Sequence, residues 1–172
     1  ARGVRTLHTR VTGVEVHADK VQIYSESDSR AVDVVVGAFG LDDGSCQLFE
    51  RATPFRQPRH LESLVTKLHP GEAFLEQFGD EIRAFLPPIP AVEFGAMTPK
   101  GNHLTINIAG RRVTMDDMHR FLEYGPVKTA LPRQADFDGF FKGKFPDGPG
   151  RNLYGDRYLV IGDAAGLLRP FK

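Results

Sequence analysis

Cysteine is nearly absent from this 172-residue sequence, and tryptophan is entirely so. The single Cys46 excludes an intramolecular disulfide, and with one thiol a structural zinc centre has too few sulfur ligands. Net charge is missing too: Lys+Arg and Asp+Glu both count 22. A general binder of nucleic acid or of anionic membranes carries a basic excess, so neither class fits. No apolar run approaches the ~18 residues that cross a bilayer. The stretch from Val32 to Ala38 is interrupted by Asp33, and no charged-then-apolar leader opens the chain. A soluble protein of a reducing, cytoplasmic compartment is expected, with at most peripheral membrane contact. The chain begins at Ala1 without Met and stops at Lys172 just after a strand-to-helix junction. A piece of a longer protein is the expectation.

Hydrophobic residues make up 41% and charged residues 26%, ordinary for a globular domain. Eighteen glycines and twelve prolines point to a loop-rich fold and away from a helical bundle. Val11 to His17 and Val21 to Ser25 alternate apolar and polar residues, the period of half-buried strands. Val32 to Ala38 is nearly continuous valine and reads as a strand buried on both faces. Tyr158 to Ile161 reads the same way, so the two runs are expected as parallel neighbours in one sheet. Leu61 to Leu68 is a further strand. Phe74, Leu75, Phe78, Ile82, Phe85 and Leu86 fall on one helical stripe that Pro87-Pro88 ends. Val92 to Thr98 and His103 to Ala109 form a hairpin connected through Pro99 to Asn102. Thr114 to Glu123 is a helix with Thr114 as N-cap and Asp117 in a capping-box position. Leu41 to Pro58 and Gly125 to Gly155 read as irregular.

Few residues stand out for chemistry. Six histidines are scattered without an i, i+4 pair, so no metal site is expected, and no serine lies in a Gly-x-Ser-x-Gly turn. Asp116, Asp117, Asp136 and Asp138 read as capping and loop carboxylates. Phe137, Phe140, Phe141 and Phe145, interleaved with Lys142 and Lys144, read as packing residues. The strongest segment is Gly155 to Gly166, where an apolar strand ends in Gly162-Asp163-Ala164-Ala165-Gly166. Ligands of open α/β sheets sit beyond the carboxyl ends of strands, and a carboxylate there can accept hydrogen bonds from a polyol. The bland alternative is a helix-capping Asp.

This strand–Gly-Asp-Ala-Ala segment resembles the second FAD-binding signature of the para-hydroxybenzoate-hydroxylase-like flavoproteins. The resemblance runs from about Val11 to Pro170. It implies that Asp163, with Gly162 before it, meets the ribityl chain of FAD, and that Pro170 lies near the flavin ring. Asp33 to Gly40 resembles the segment that closes the cofactor domain in that family, and implies a place for Ala38 beside the cofactor. Arg10 to Val14 resembles the strand where the backbone of Val11 meets adenine. Phe39 stands where the family has Asp. Phe94 to His103 resembles the substrate-domain segment of the geranylgeranyl reductases, with Pro99-Lys100-Gly101 retained, Ala96 in place of Trp and Thr98 in place of Phe. That implies substrate contacts at Phe94, Ala96, Met97 and Pro99.

The fold class is therefore expected to be α/β to α+β. Residues 1–40 and 151–172 would be parts of a Rossmann-like FAD-binding domain, and residues 41–150 an antiparallel-sheet substrate domain. The glycine-rich turn Gly-x-Gly-x-x-Gly, which would hold the pyrophosphate, is nowhere in the sequence. The resemblance implies an FAD-dependent oxidoreductase that reduces an apolar, isoprenoid-type small molecule, with NAD(P)H or ferredoxin as electron donor, and no nucleic-acid partner. No side chain is identified as catalytic. A flavin-dependent monooxygenase or halogenase, and a non-catalytic α/β binding domain, are the alternatives.

Overall fold

A computed structural model describes residues 3–167. The chain divides into two units, residues 1–59 with 146–172 and residues 60–145. The first boundary differs from expectation because residues 41–58 are not irregular. They contain helix α1, Asp43–Ala52, whose Cys46 and Phe49 are buried. Asp42 caps it, its carboxylate accepting from the Ser45 N–H at 2.8 Å. The poor helix formers Asp43-Gly44-Ser45 mask the helix in the sequence. The cap and the Cys46–Phe49 spacing are the signals that reveal it.

The first unit opens with an antiparallel meander: β1 Val11–Val16, β2 Val21–Ser25 and β3 Ser29–Val32. The valine run then breaks at Asp33-Val34, and β4, Val35–Gly37, enters a different sheet. There it pairs in parallel with a strand from the far end of the sequence. Tyr158 lies beside Val35, Leu159 beside Val36 and Val160 beside Gly37. The expected parallel pairing is thus present, over fewer residues than the valine run suggested. Burial is one-sided. Tyr158 and Val160 are buried, whereas Val36 and Leu159 on the opposite face are 51% and 39% exposed. The core beneath joins Val14, Val21, Phe49, Phe55, Tyr158 and Val160.

The second unit is built on a five-stranded sheet. In chain order its elements are β5 His60–Leu68, α2 Glu72–Phe78, β6 Arg83–Phe85, β7 Phe94–Lys100, β8 His103–Gly110, α3 Met115–Glu123, α4 Gly125–Thr129 and β9 Phe141–Pro146. The strand order is β6-β7-β8-β5-β9. Two short segments complete the first unit's sheet, β10 Tyr154–Gly155 and β11 Tyr158–Val160. Three expectations need correction. The helix read from 74 to 86 stops at Phe78 because Gly79 takes φ 80, and Arg83–Phe85 becomes an edge strand. Ile82 and Leu86, 63% and 80% exposed, belong to no apolar stripe. Residues 125–155, read as irregular, hold α4, β9 and the two-residue strand β10. The hairpin, by contrast, pairs Phe94–Lys100 with His103–Gly110 as read, with the turn narrowed to Gly101-Asn102.

Helix α3 carries the expected capping box. The Asp117 N–H donates to the Thr114 hydroxyl at 3.3 Å, and the Thr114 N–H donates to the Asp117 carboxylate at 2.9 Å. Its buried face, Met118, Phe121 and Leu122, packs on Met97, Ile106 and Ile108. Close approach depends on Gly95, where a Cβ would lie 2.3 Å from the Phe121 ring and 3.1 Å from the Asn107 carbonyl. Gly95→Ala is therefore expected to destabilise the chain by about 1–3 kcal/mol through overpacking. Urea unfolding is the measurement. A midpoint equal to wild type would remove the claim that Phe121 rests on the bare backbone at residue 95.

Candidate functional site

The carboxyl edge of the β4–β11 pair brings the two predicted cofactor segments together. The Ile161 N–H donates to the Gly37 carbonyl at 2.9 Å, so Ala38 and Ile161 leave the sheet side by side. After Ile161 the chain takes a 3-10 turn, Gly162–Ala165, which Gly162 enters at φ 66. Ala164 and Ala165 are buried, while the Asp163 side chain is exposed. The turn is held from below: the Gly150 N–H donates to the Ala165 carbonyl at 2.9 Å. A Cβ on Gly166 would meet the Gly148 carbonyl at 2.2 Å, so the chain here is backbone against backbone.

Asp163 does not cap this turn. The N-cap residue is Ile161, without a side-chain bond, and the Asp163 carboxylate accepts no hydrogen bond among the described residues. Only its backbone carbonyl is engaged, by the Gly166 N–H at 3.0 Å. A free carboxylate on a braced turn beyond a parallel strand can accept hydroxyl donors without first breaking an internal bond.

At the carboxyl end of β4 a cavity of about 350 Å³ is lined by Val11, Val14, Ile23, Ala38, Phe39 and Phe49, among others. Val11 and Ala38 both line this one space. Phe39 is half-buried in this wall, with its ring centroid 4.9 Å from that of Phe49. An Asp at position 39 would place a charge against that ring cluster. Pro170 lies outside the described residues.

The substrate residues separate. Strand alternation sends Phe94 and Ala96 to one face of β7 and Met97 to the other. Phe94 packs against Phe145 with Leu61 and Ala109, and Met97 is wholly buried under α3. Pro99 lines a space of about 820 Å³ that also touches His69, Glu72, Glu76, Asp80 and Asn102. Near that cavity the His69 ring lies 5.5 Å from the His103 ring, and the His69 Nε2 is 3.3 Å from the Asp138 carboxylate. Asp138 is tied to β5 through its N–H, which donates to the Lys67 carbonyl at 2.9 Å. No spacing in the sequence signals this cluster, because His69, His103 and Asp138 are brought together by strand pairing. No group of three or more potential metal ligands exists among the described residues. Nor is any helix among them long and apolar enough to cross a membrane.

No protein-family model and no curated protein matches the sequence. Solved structures do match the fold. The flavin-dependent brominase Bmp2 superimposes over 95% of this chain with a TM-score of 0.70 at 16% identity. A geranylgeranyl bacteriochlorophyll reductase-like protein from Thermoplasma acidophilum covers 94% with a TM-score of 0.66, also at 16% identity. A variant of the halogenase PltM, in complex with FAD, covers 94% with a TM-score of 0.60 at 10% identity. This chain spans 44%, 43% and 37% of those three chains. The fold is thus that of FAD-binding flavoproteins, mixed α/β with antiparallel sheets.

The histidine cluster has a consequence for stability. Burial, then the charges of Lys67, His69 and Lys100, hold the His103 imidazole below its usual value of 6.5, with Asp138 opposing. The unfolded chain therefore binds this proton first as pH falls, and the stability that neutral His103 contributes is lost on the acid side. His103→Gln is expected to make the fall in urea midpoint between about pH 7.5 and about pH 5.5 shallower than in wild type. An unchanged fall would refute the assignment.

Proposed function

We propose that this chain carries part of the FAD site of a flavin-dependent oxidoreductase, with Asp163 as the ligand of the ribityl hydroxyls. The observation that carries this reading is the exposed Asp163 carboxylate, without a hydrogen-bond partner among the described residues, on the turn that follows parallel strand β11. The residues fit the cofactor. Asp163 offers an acceptor to a polyol, Gly162 lets the backbone approach closely, and the apolar wall of Val11, Ala38 and Phe39 suits a planar ring. Bound flavin would supply hydride chemistry, and the chain would supply position and electrostatics. NAD(P)H or ferredoxin would provide the electrons.

The reductase reading of the substrate draws on Pro99-Lys100-Gly101. The cavity beside Pro99 argues against an apolar isoprenoid there, because Glu72, Glu76 and Asp80 touch it. Carboxylates in an apolar ligand's pocket lose hydration without gaining a partner. That observation favours a second reading of the same flavin site, a monooxygenase or halogenase acting on a more polar substrate. Identifying the bound substrate separates the two.

The cofactor assignment is tested by titrating FAD against the chain and following flavin fluorescence. Wild type is expected to bind, more weakly than micromolar, since no glycine-rich pyrophosphate turn is present in the sequence. Asp163→Ala should raise the dissociation constant roughly 10- to 150-fold, with the melting temperature unchanged because the carboxylate caps nothing. A lowered melting temperature with unaltered flavin affinity would identify Asp163 as a structural residue and end the assignment.

A further inference from the structure

A second feature of the first unit has no place in the flavin reading. Arg56 and Arg151, 95 positions apart in sequence, are direct partners in an isolated antiparallel bridge. Each N–H donates to the other's carbonyl, at 3.0 and 2.9 Å. Residues directly opposite in such a pair carry their side chains on the same face, and like charges so placed repel. No ion pair relieves this one: neither arginine contacts a carboxylate among the described residues. The nearby Glu50 carboxylate is occupied, accepting from the Gln57 N–H at 3.0 Å.

The pair is held rigidly. A Cβ on Gly150 would lie 2.8 Å from the Arg56 carbonyl, so the neighbouring backbone is pressed against the bridge. The Arg56 Nη1 is spent on carbonyls at the end of α1, donating to Phe55 at 2.6 Å and to Glu50 at 3.3 Å. That anchors the guanidinium through one nitrogen and leaves Nη2 and Nε without a hydrogen-bond partner among the described residues. Asn152, at φ 51, has its amide tied to the Pro54 carbonyl at 2.9 Å. Pro54, Arg56, Arg151 and Asn152 line an open groove with two cations and no carboxylate.

We infer that this groove binds a phosphate-class anion, held by the guanidinium groups of Arg56 and Arg151. A dianion between two opposed guanidiniums removes their repulsion and takes the fork geometry that phosphate oxygens match. The inference does not depend on Asp163. It also places the anion close to the Asp163 turn, since Gly150, which precedes Arg151, is the residue that braces Ala165.

Isothermal titration of the full chain with pyrophosphate at low ionic strength is the test. The Arg151 side chain forms no hydrogen bond or ion pair among the described residues, so Arg151→Gln should fold as wild type and weaken binding by about 5- to 20-fold. Arg56→Gln should weaken it too, but circular dichroism must accompany that variant because Arg56 also closes α1. Arg112→Gln, an exposed arginine of the second unit, should leave binding unchanged. Orthophosphate and adenosine monophosphate then distinguish the sources. Equal affinity assigns the groove to a free phosphate, and tighter binding of the nucleotide assigns it to a phosphate carried by one. Equal pyrophosphate affinity in wild type and Arg151→Gln, or an equal loss in Arg112→Gln, would overturn the inference.

Discussion

The parallel pairing of Val35–Gly37 with Tyr158–Val160 is the constraint on which the first unit depends. It is short, and the loop it closes is long. Closure entropy grows only logarithmically with loop length, and residues 60–145 form a unit with a core of their own, so the long connection is tolerated. The pair needs reinforcement nonetheless, and Arg157 provides it. Its Nε donates to the Ala18 carbonyl at 2.9 Å and its Nη1 to the Asp33 carbonyl at 3.2 Å, binding β11 to the meander. Arg157 does this at φ 62, a conformation that costs energy in any residue with a Cβ. Its two bonds, and the Val35 N–H donated to its own carbonyl at 2.9 Å, hold it there.

Beyond that pairing lies Asp163, for which two readings stand, a cap and a ligand contact. Had the carboxylate accepted a bond from the turn's own N–H groups, its presence after the strand would need no ligand. It accepts none among the described residues, and the turn is stabilised instead by Gly150 and by buried Ala164 and Ala165. Within the turn only the Asp163 backbone carbonyl is engaged, by the Gly166 N–H, so the cap reading has no hydrogen bond to support it among the described residues. The structural likeness to flavoproteins, at 10–16% identity, speaks for the fold alone. The chemistry has to rest on the residue.

The sequence was informative where local signals and packing agree. Alternating valines marked the meander, and Thr114 with Asp117 marked α3 to the residue, because capping is decided within four positions. It misled where a local pattern had no tertiary support. Ile82 and Leu86 continued the helical stripe on paper, yet Gly79 in a left-handed conformation ended the helix three residues before Ile82. Likewise the valine run looked like one strand, but its first residue pairs in the meander and its later ones in another sheet. Val32 and Val35 carry the same local signal, and only the long-range partners, Val21 and Tyr158, tell them apart. Phe94, Ala96 and Met97 were grouped by likeness to a motif, and strand alternation then divided them between two faces.

Gly148 and Gly150 connect the two ligand-facing features of the first unit. Side chains are excluded at both contacts, by the Arg56 carbonyl at Gly150 and by the backbone of Gly148 at Gly166. The segment between them is therefore a wedge of backbone with the arginine bridge on one side and the Asp163 turn on the other. Neither side can shift without the other, since the Gly150 N–H is bonded to Ala165 while Arg151, the next residue, is bonded to Arg56. Rigid support of this kind is what a site for a small charged ligand requires, because orientation fixed before binding does not have to be fixed during it. The exposed residues Asp163, Arg56 and Arg151 contribute little to the core, and it is this backbone wedge that fixes where each leaves the main chain.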